Sequence, residues 1–436
     1  MLKKGIYLKP INIGILYSLF TIILYLFGPY AFPSVNREIL IIFLLFSNLA
    51  MYLGFKQGAQ STNHRLNAES YPRFDIKKWM RIFYIIALIC AVPRFVIYTG
   101  FYSNPFGNLV QSIGMFIAGA SDILYQSRQN LGNATGIWRF INYFVVLLGP
   151  IHWAYTPLAL YYWKKIGFFQ KIGTYFIWVF YLLQYICTGT NVGIFEFFIT
   201  IFIVKIIRNL VDGISSLKKI RKSGDKKNIV LLLILVVILL FAFDYIMSSR
   251  IGNQTNSVPL GNSRAYFDND SLLWKYVPQS MQSVFLYITR YVALPYYALE
   301  CAFDESFSST FGFGYSWFLL DNIPFDLWSE TYMMKLESSI GYSHWASWHT
   351  AYMWFANDVS FIGVPVILFM LFYIFGKAWA VFIDSGNLCA FLLFMLYIKF
   401  IVYVSANNQV FQASDHLLAF WGLLLLFNKS MRYRWK

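Results

Sequence analysis

Apolar runs recur along this chain, most of them too long for the strands of a soluble sheet. They fall at about residues 12–32, 39–55, 80–98, 138–162, 172–188, 190–207, 229–247, 360–382, 386–405 and 415–428. All but the last, shorter run approach or exceed the ~20 residues that carry a helix across about 30 Å of hydrocarbon. Lipid offers backbone groups no water, so each run is expected to close its own hydrogen bonds as a helix. The pattern predicts an all-α polytopic membrane protein with about ten transmembrane helices, in a range of about ten to twelve. The first run is too long for a signal peptide and lacks a small-residue cleavage site, so it is expected to remain as an anchor.

Two stretches depart from this rhythm. Within 99–137, Leu109 to Ile123 is apolar but too interrupted to span, which predicts an interfacial or re-entrant helix. The second is a long polar excursion from Ser248 to about Thr350. Inside it, Val277 to Ala302 reads as an amphipathic helix with Arg290 in its middle, bent or divided at Pro295. The chain thus divides into a seven-span region (1–247), a loop with re-entrant or amphipathic helices (248–350) and a three-span region (351–436), expected to form one integrated membrane domain. Unequal halves lean away from a transporter, whose halves usually correspond.

Charge assigns sides to these segments. The chain is 58% hydrophobic and only 13% charged, with a net charge of +15. That excess would suit a nucleic acid, but its distribution argues for a bilayer. With the N-terminus in the cytoplasm, the inner segments are 1–10, 56–81, 164–171, 205–227, Lys377 and 429–436. They hold 25 of the 35 basic residues, and the acidic residues on that side are only Glu69, Asp75, Asp212, Asp225 and, in the turn after the eighth run, Asp384. This is the positive-inside pattern. The block Lys218 to Lys222 reads as an orientation signal against anionic lipid, and no nucleic-acid partner is expected. Both termini are expected in the cytoplasm, and the 248–350 loop outside it. Four cysteines show no metal-ligand spacing, although a Cys187–Cys301 disulfide at the outer face stays open. No cofactor motif is present: there is no HExxH, CxxC, phosphate-binding loop or GxGxxG. Asp268-Asn-Asp270 leaves a divalent-ion site open.

The outer segments carry the candidate chemistry. Arg250, Arg264 and Arg290 present the fixed donor forks that match phosphate oxygens, or they pair with loop carboxylates such as Asp268 and Asp304. Arg94, Arg139 and Lys399 lie in or near spans, where a cation either snorkels to the interface or lines a polar chamber. His344 and His349 are candidate bases near neutral pH, or structural histidines. Trp274, Trp317, Trp328, Trp345, Trp348 and Trp354 can stack on sugar rings or form an interfacial belt.

Ser347-Trp-His-Thr-Ala-Tyr-Met-Trp-Phe-Ala-Asn-Asp-Val-Ser-Phe-Ile-Gly-Val-Pro365 resembles the loop-to-helix entry of bacterial oligosaccharide repeat-unit polymerases, the O-antigen polymerase (Wzy-type) group. In that group a polar or His-bearing start is followed by an Asp-Phe-Gly-x-x-Gly-like turn, matched loosely here by Asp358 to Gly363. Thr188-Gly-Thr-Asn-Val-Gly193 is similar to a family turn that usually carries Arg, where this chain has Asn191. The resemblance implies an enzyme of the bacterial inner membrane, without cofactor, akin to C-type membrane glycosyltransferases. A glycan held on undecaprenyl diphosphate would pass to a hydroxyl of the next lipid-linked repeat unit, with a chain-length regulator as a further partner. By that resemblance Arg250, Arg264 and Arg290 hold diphosphate with help from Arg94. His349 is the base, with Arg290 beside it in catalysis, and Asp358 and Gly363 shape the turn. An O-antigen-ligase-like transferase, a polysaccharide flippase and a non-catalytic scaffold are the alternatives.

Overall fold

The structure, a computed structural model, describes residues 2–61, 76–129, 134–215, 240–241, 243–248 and 256–432. The chain gathers into two compact units. One joins Met1–Pro72 to Gln254–Lys436, and the other is Arg73–Asn253. The predicted span at 229–247 falls largely outside the described residues.

The second unit contains α3 (Ile76–Thr99), α4 (Pro105–Ile117), α5 (Ser121–Gln129), α6 (Ile137–Tyr161), α7 (Phe168–Ile186) and α8 (Val192–Ser215). The predicted interfacial helix at Leu109–Ile123 is in fact two helices. Asn104 caps α4 by accepting from the Gly107 N–H at 3.1 Å, with Pro105 at the first position. Gly119, at φ +77°, then turns the chain into α5.

The first unit begins with α1 (Leu2–Phe27) and α2 (Arg37–Gln60). After residue 254 it continues through α9 (Gln282–Ala302), α10 (Trp317–Asn322), α11 (Tyr332–Ile340), α12 (Ala351–Ser385), α13 (Leu388–Tyr403), α14 (Gln409–Gln412) and α15 (Ser414–Arg432). The tightest seam joins α2 to α12. A Cβ on Gly54, Gly58 or Gly376 would lie 2.2, 2.0 and 2.1 Å from the carbonyl oxygens of Phe369, Tyr373 and Phe55. Glycines four apart on α2 thus let two helix backbones touch, the means by which helices associate without a hydrophobic drive between them.

Two sequence expectations change in this unit. A small antiparallel sheet of β1 (Tyr30–Ala31), β2 (Ser257–Leu260) and β3 (Ser263–Phe267), in the order β1-β3-β2, interrupts the helical architecture. α9 runs unbroken through Pro295, and its C-terminal half, from Pro295 to Ala302, is fully buried rather than lying on a surface. It is held there by Glu300, whose carboxylate accepts from the Tyr25 hydroxyl at 2.5 Å and from the Val35 and Asn36 N–H groups at 2.6 and 3.0 Å. Arg37 neutralises it from 3.7 Å. Cys187 and Cys301 are both buried thiols, without a disulfide.

Candidate functional site

The candidate site lies on the first unit, in the segment between α9 and α12. Its frame is Asp358. One oxygen of this carboxylate accepts from the Thr310 hydroxyl at 2.5 Å and from the Gly312 and Gly314 N–H groups at 2.8 and 3.0 Å. The neighbouring Asn357 amide donates to Gly314 O at 3.0 Å and accepts from Tyr332 N at 2.9 Å. Together the two side chains pin the 309–314 loop and the start of α11 to α12. Among the described residues, the non-glycine residues with positive φ are Phe311 (53°), in the loop this carboxylate holds, and Ser360 (57°), two residues beyond it. Ser360, with ψ 172°, occupies a region reserved almost entirely for glycine, and α12 kinks there. Gly363 follows within the helix, with the Val359 side chain against its Cα. Backbone strain of this kind concentrates where a structure holds functional groups.

Three tryptophans cluster where Trp354 stands, one helical turn before Asp358 on α12. The Trp317 and Trp328 rings are 4.7 Å apart, and Trp354 lies 6.4 and 6.3 Å from them. Asp321, one turn beyond Trp317 on α10, accepts from the indole N–H groups of both Trp317 and Trp328, the latter at 3.0 Å. Trp354 is 3% exposed, and its indole N–H has no hydrogen-bond partner among the described residues. Buried donors without partners are uncommon and call for an explanation.

His344 stacks on this cluster, its ring at 9° to Trp317 and 6.2 Å away. The chain reversal that brings it there is local. α11 ends at Gly341, at φ +70°, with the Gly341 and Tyr342 N–H groups donating to Glu337 O and Leu336 O. His344 therefore returns onto Glu337, whose carboxylate accepts from the His344 backbone N–H at 3.0 Å and also meets its Nδ1. The two side chains are 25% and 34% exposed, so the pair is open to solvent. Burial pushes the Glu337 carboxyl up, but the hydrogen bonds from His344 and the charges of His344 and His349 outweigh it. The group sits below the usual carboxylate range.

His349 lies a few residues on and is 1% exposed. Its Nε2 donates to Ser343 O at 3.1 Å, its Nδ1 has no hydrogen-bond partner among the described residues, and its ring meets Tyr342 edge-on at 5.2 Å. Burial lowers its pKa to about 4, with His344 adding to the shift and the Ser343 and Glu337 contacts opposing it. The imidazole is thus neutral at pH 7 and turned away from solvent. Arg290, half-buried on α9, acts electrostatically on Tyr30 and Tyr342. Its neighbour Tyr291 packs on Trp348 at 5.2 Å. Arg290 and His349 therefore share Tyr342, and His349 is in electrostatic reach of the His344–Glu337 pair.

The other predicted residues lie elsewhere. Arg264 is exposed on β3 and donates to Ser257 Oγ at 3.1 Å. Arg250 is outside the described residues. Arg94 belongs to the second unit, as does Arg139, which sits exposed on α6 and donates to the Tyr143 hydroxyl at 3.2 Å. Lys399 on α13 meets the His416 ring at 3.0 Å. Asp268 receives the Asp270 N–H at 2.9 Å as a local turn, and no cluster of metal-ligating residues occurs among the described residues. Sequence reasoning missed Asp321 and Glu337. The Trp317–Asp321 spacing of one helical turn, and the helix stop at Gly341 between Glu337 and His344, are the signals that could have found them.

These elements belong to a helical protein. By length and composition five of its helices can cross a bilayer: Gly5–Phe27, Arg37–Gln60, Ile76–Thr99, Ile137–Tyr161 and Ala351–Ser385. That fits a membrane-spanning protein. Comparisons with protein-family models, curated proteins and solved structures give no match to this chain.

Proposed function

We propose that this chain is a bacterial inner-membrane glycan transferase. It polymerises undecaprenyl-diphosphate-linked repeat units into an O-antigen- or capsule-type polysaccharide. The observation that carries this reading is the His344–Glu337 pair stacked into the Trp317–Trp328–Trp354 cluster. Indole faces bind the apolar faces of sugar rings. A carboxylate-oriented imidazole that is partly open to solvent is the arrangement a hydroxyl acceptor needs for proton removal. Glu337 fixes the ring and stabilises the imidazolium formed as the hydroxyl attacks the anomeric carbon. The leaving diphosphate carries charge that a cation must meet, and Arg290, which acts electrostatically on Tyr342, is the candidate in this unit.

In this reading His344, rather than the buried His349, takes the acceptor proton. His349 supports the 342–350 segment from within, and Asp358 holds the frame. Arg264 and Arg250 remain candidate diphosphate contacts, and a ligase-like transfer to another acceptor would use the same groups. The test is reconstitution of purified protein with a lipid-diphosphate-linked repeat unit and no nucleotide sugar. A ladder of products on a gel supports a polymerase, a single transfer to another acceptor supports a ligase, and no transfer removes the proposal.

A further inference from the structure

The tryptophan cluster is held by a segment near the end of the chain that the transferase chemistry itself does not use. α10, which opens with Trp317, is six residues long. So short a helix has little stability of its own, and whatever holds its first turn sets its orientation. That turn is bonded to a segment 95 positions later in the chain. The Asn408 amide donates to Tyr315 O at 2.9 Å, and the Ser316 hydroxyl donates to Phe411 O at 2.5 Å. The Trp317 backbone N–H donates to the side-chain oxygen of Gln412, in the last position of α14, at 2.9 Å. Ser316, Asn408 and Phe411 are buried. The same Ser316 oxygen caps α10 by accepting from the Leu319 N–H at 3.4 Å. Aromatic packing closes the seam. The Phe411 ring meets Tyr315 edge-on at 5.4 Å and lies 5.9 Å from Phe355, the residue after Trp354 on α12.

Trp317 is therefore fixed twice. Asp321 takes its indole N–H, and Gln412 takes its backbone N–H. The backbone group is one that the first turn of a helix cannot satisfy internally. Only an oxygen can answer it, so the Gln412 amide has a defined orientation. The indole placed in this way is the one on which the His344 ring stacks at 9°. A shift at the start of α10 moves the stacking face away from the imidazole, and working groups must be held within about 0.5 Å of their productive geometry. Asn408 and Phe411 act on the residues before Trp317. Gln412 acts on Trp317 itself through a side chain, so substitution can separate its part.

We infer that Gln412 is a positioning residue of this site, holding the Trp317 face against which the acceptor sugar lies. Its effect on transfer rests on the reading of the cluster as a transferase site; its effect on Trp317 does not.

The test has two arms, both on the full-length protein in detergent. The first is hydroxyl-radical footprinting read residue by residue in a mass spectrometer, with Trp345, 53% exposed, as the internal reference. Gln412→Leu removes the acceptor, and Trp317 is expected to oxidise about threefold faster relative to Trp345. The second arm is transfer from a lipid-diphosphate-linked repeat unit at fixed donor concentration. The KM for the acceptor unit is expected to rise about fivefold, the worth of one neutral hydrogen bond, with little change in kcat. A smaller folded fraction would instead lower kcat and leave KM alone. Gln412→Glu keeps the oxygen and is expected to restore both readings to within about twofold of wild type. Gln412→Asn, shorter by one methylene, is a second loss variant should Gln412→Leu not fold. Wild-type oxidation of Trp317 in the loss variants, or an unchanged acceptor KM in an active enzyme, overturns the inference. Absence of transfer by the wild type removes the transferase reading instead, and the footprint then decides whether Gln412 positions Trp317.

Discussion

Replacing Asp358 by alanine removes the acceptor that holds the 309–314 loop. Three donors lose their partner: Thr310 Oγ1 at 2.5 Å and the Gly312 and Gly314 N–H groups at 2.8 and 3.0 Å. A hydrogen bond to a charged group contributes about 1.5–3 kcal/mol. The Gly312 N–H is exposed and regains water, and the other two are partly buried, so the sum is discounted to about 3 kcal/mol. For a unit of this size that corresponds to a fall in Tm on the order of 10 °C. Asp358→Asn keeps an acceptor oxygen and loses only the charge, so it should cost about 1 kcal/mol. Thermal unfolding in detergent measures both. Limited chymotrypsin digestion localises the effect, because the Phe311 side chain is 78% exposed while its backbone is held by the loop. Cleavage at Phe311 should accelerate in Asp358→Ala before any other site. Wild-type melting together with wild-type cleavage would refute the reasoning that this carboxylate organises the loop.

Other outcomes follow from the same structure. Gly58→Leu places a side chain where the Tyr373 carbonyl lies 2.0 Å from a Cβ. It should part α2 from α12 and cost about 3 kcal/mol or more, read as lost thermal stability or lost folded yield. Ser360→Gly relieves a conformation that costs on the order of 1–3 kcal/mol, less the extra chain entropy of glycine. It should therefore raise Tm by a few degrees. His349 is held neutral with a pKa lowered from 6.5 to about 4. The unfolded chain takes up its proton first, so stability should fall as pH drops from 6.5 towards 4, by about 3 kcal/mol if the whole shift is realised. His349→Gln should flatten that slope in pH-dependent unfolding, while an unchanged slope would mean that another group governs it.

Much of the helical layout was readable in the sequence because lipid forces apolar runs to be long and to hydrogen-bond internally. The runs at 39–55, 80–98, 138–162, 172–188 and 190–207 coincide with α2, α3, α6, α7 and α8. Boundaries failed where polar groups are satisfied by tertiary partners. α12 begins at Ala351 rather than 360, because Asn357 and Asp358 find acceptors and donors in the 309–314 loop and at Tyr332. α9 reads as amphipathic, yet Glu300 is buried because Tyr25 and the Val35 and Asn36 backbone answer it from far away in the chain. The site was half legible. Arg290 and His349 stand near one another, joined through Tyr342. The pairing of His344 with Glu337 was not legible, because Glu337 lies across a chain reversal that no periodicity displays.

The most direct measurement compares wild type, Glu337→Gln and Arg290→Gln in transfer from a lipid-diphosphate-linked repeat unit, with folding checked by thermal unfolding. Loss of the base's orienting carboxylate, or of a charge-assisted contact to the leaving diphosphate, should each slow transfer by about a hundredfold or more. Glu337→Gln should also shift the acid limb of the pH–rate profile. A wild-type ladder that persists at full rate in both variants would contradict the assignment of this cluster as the transferase site.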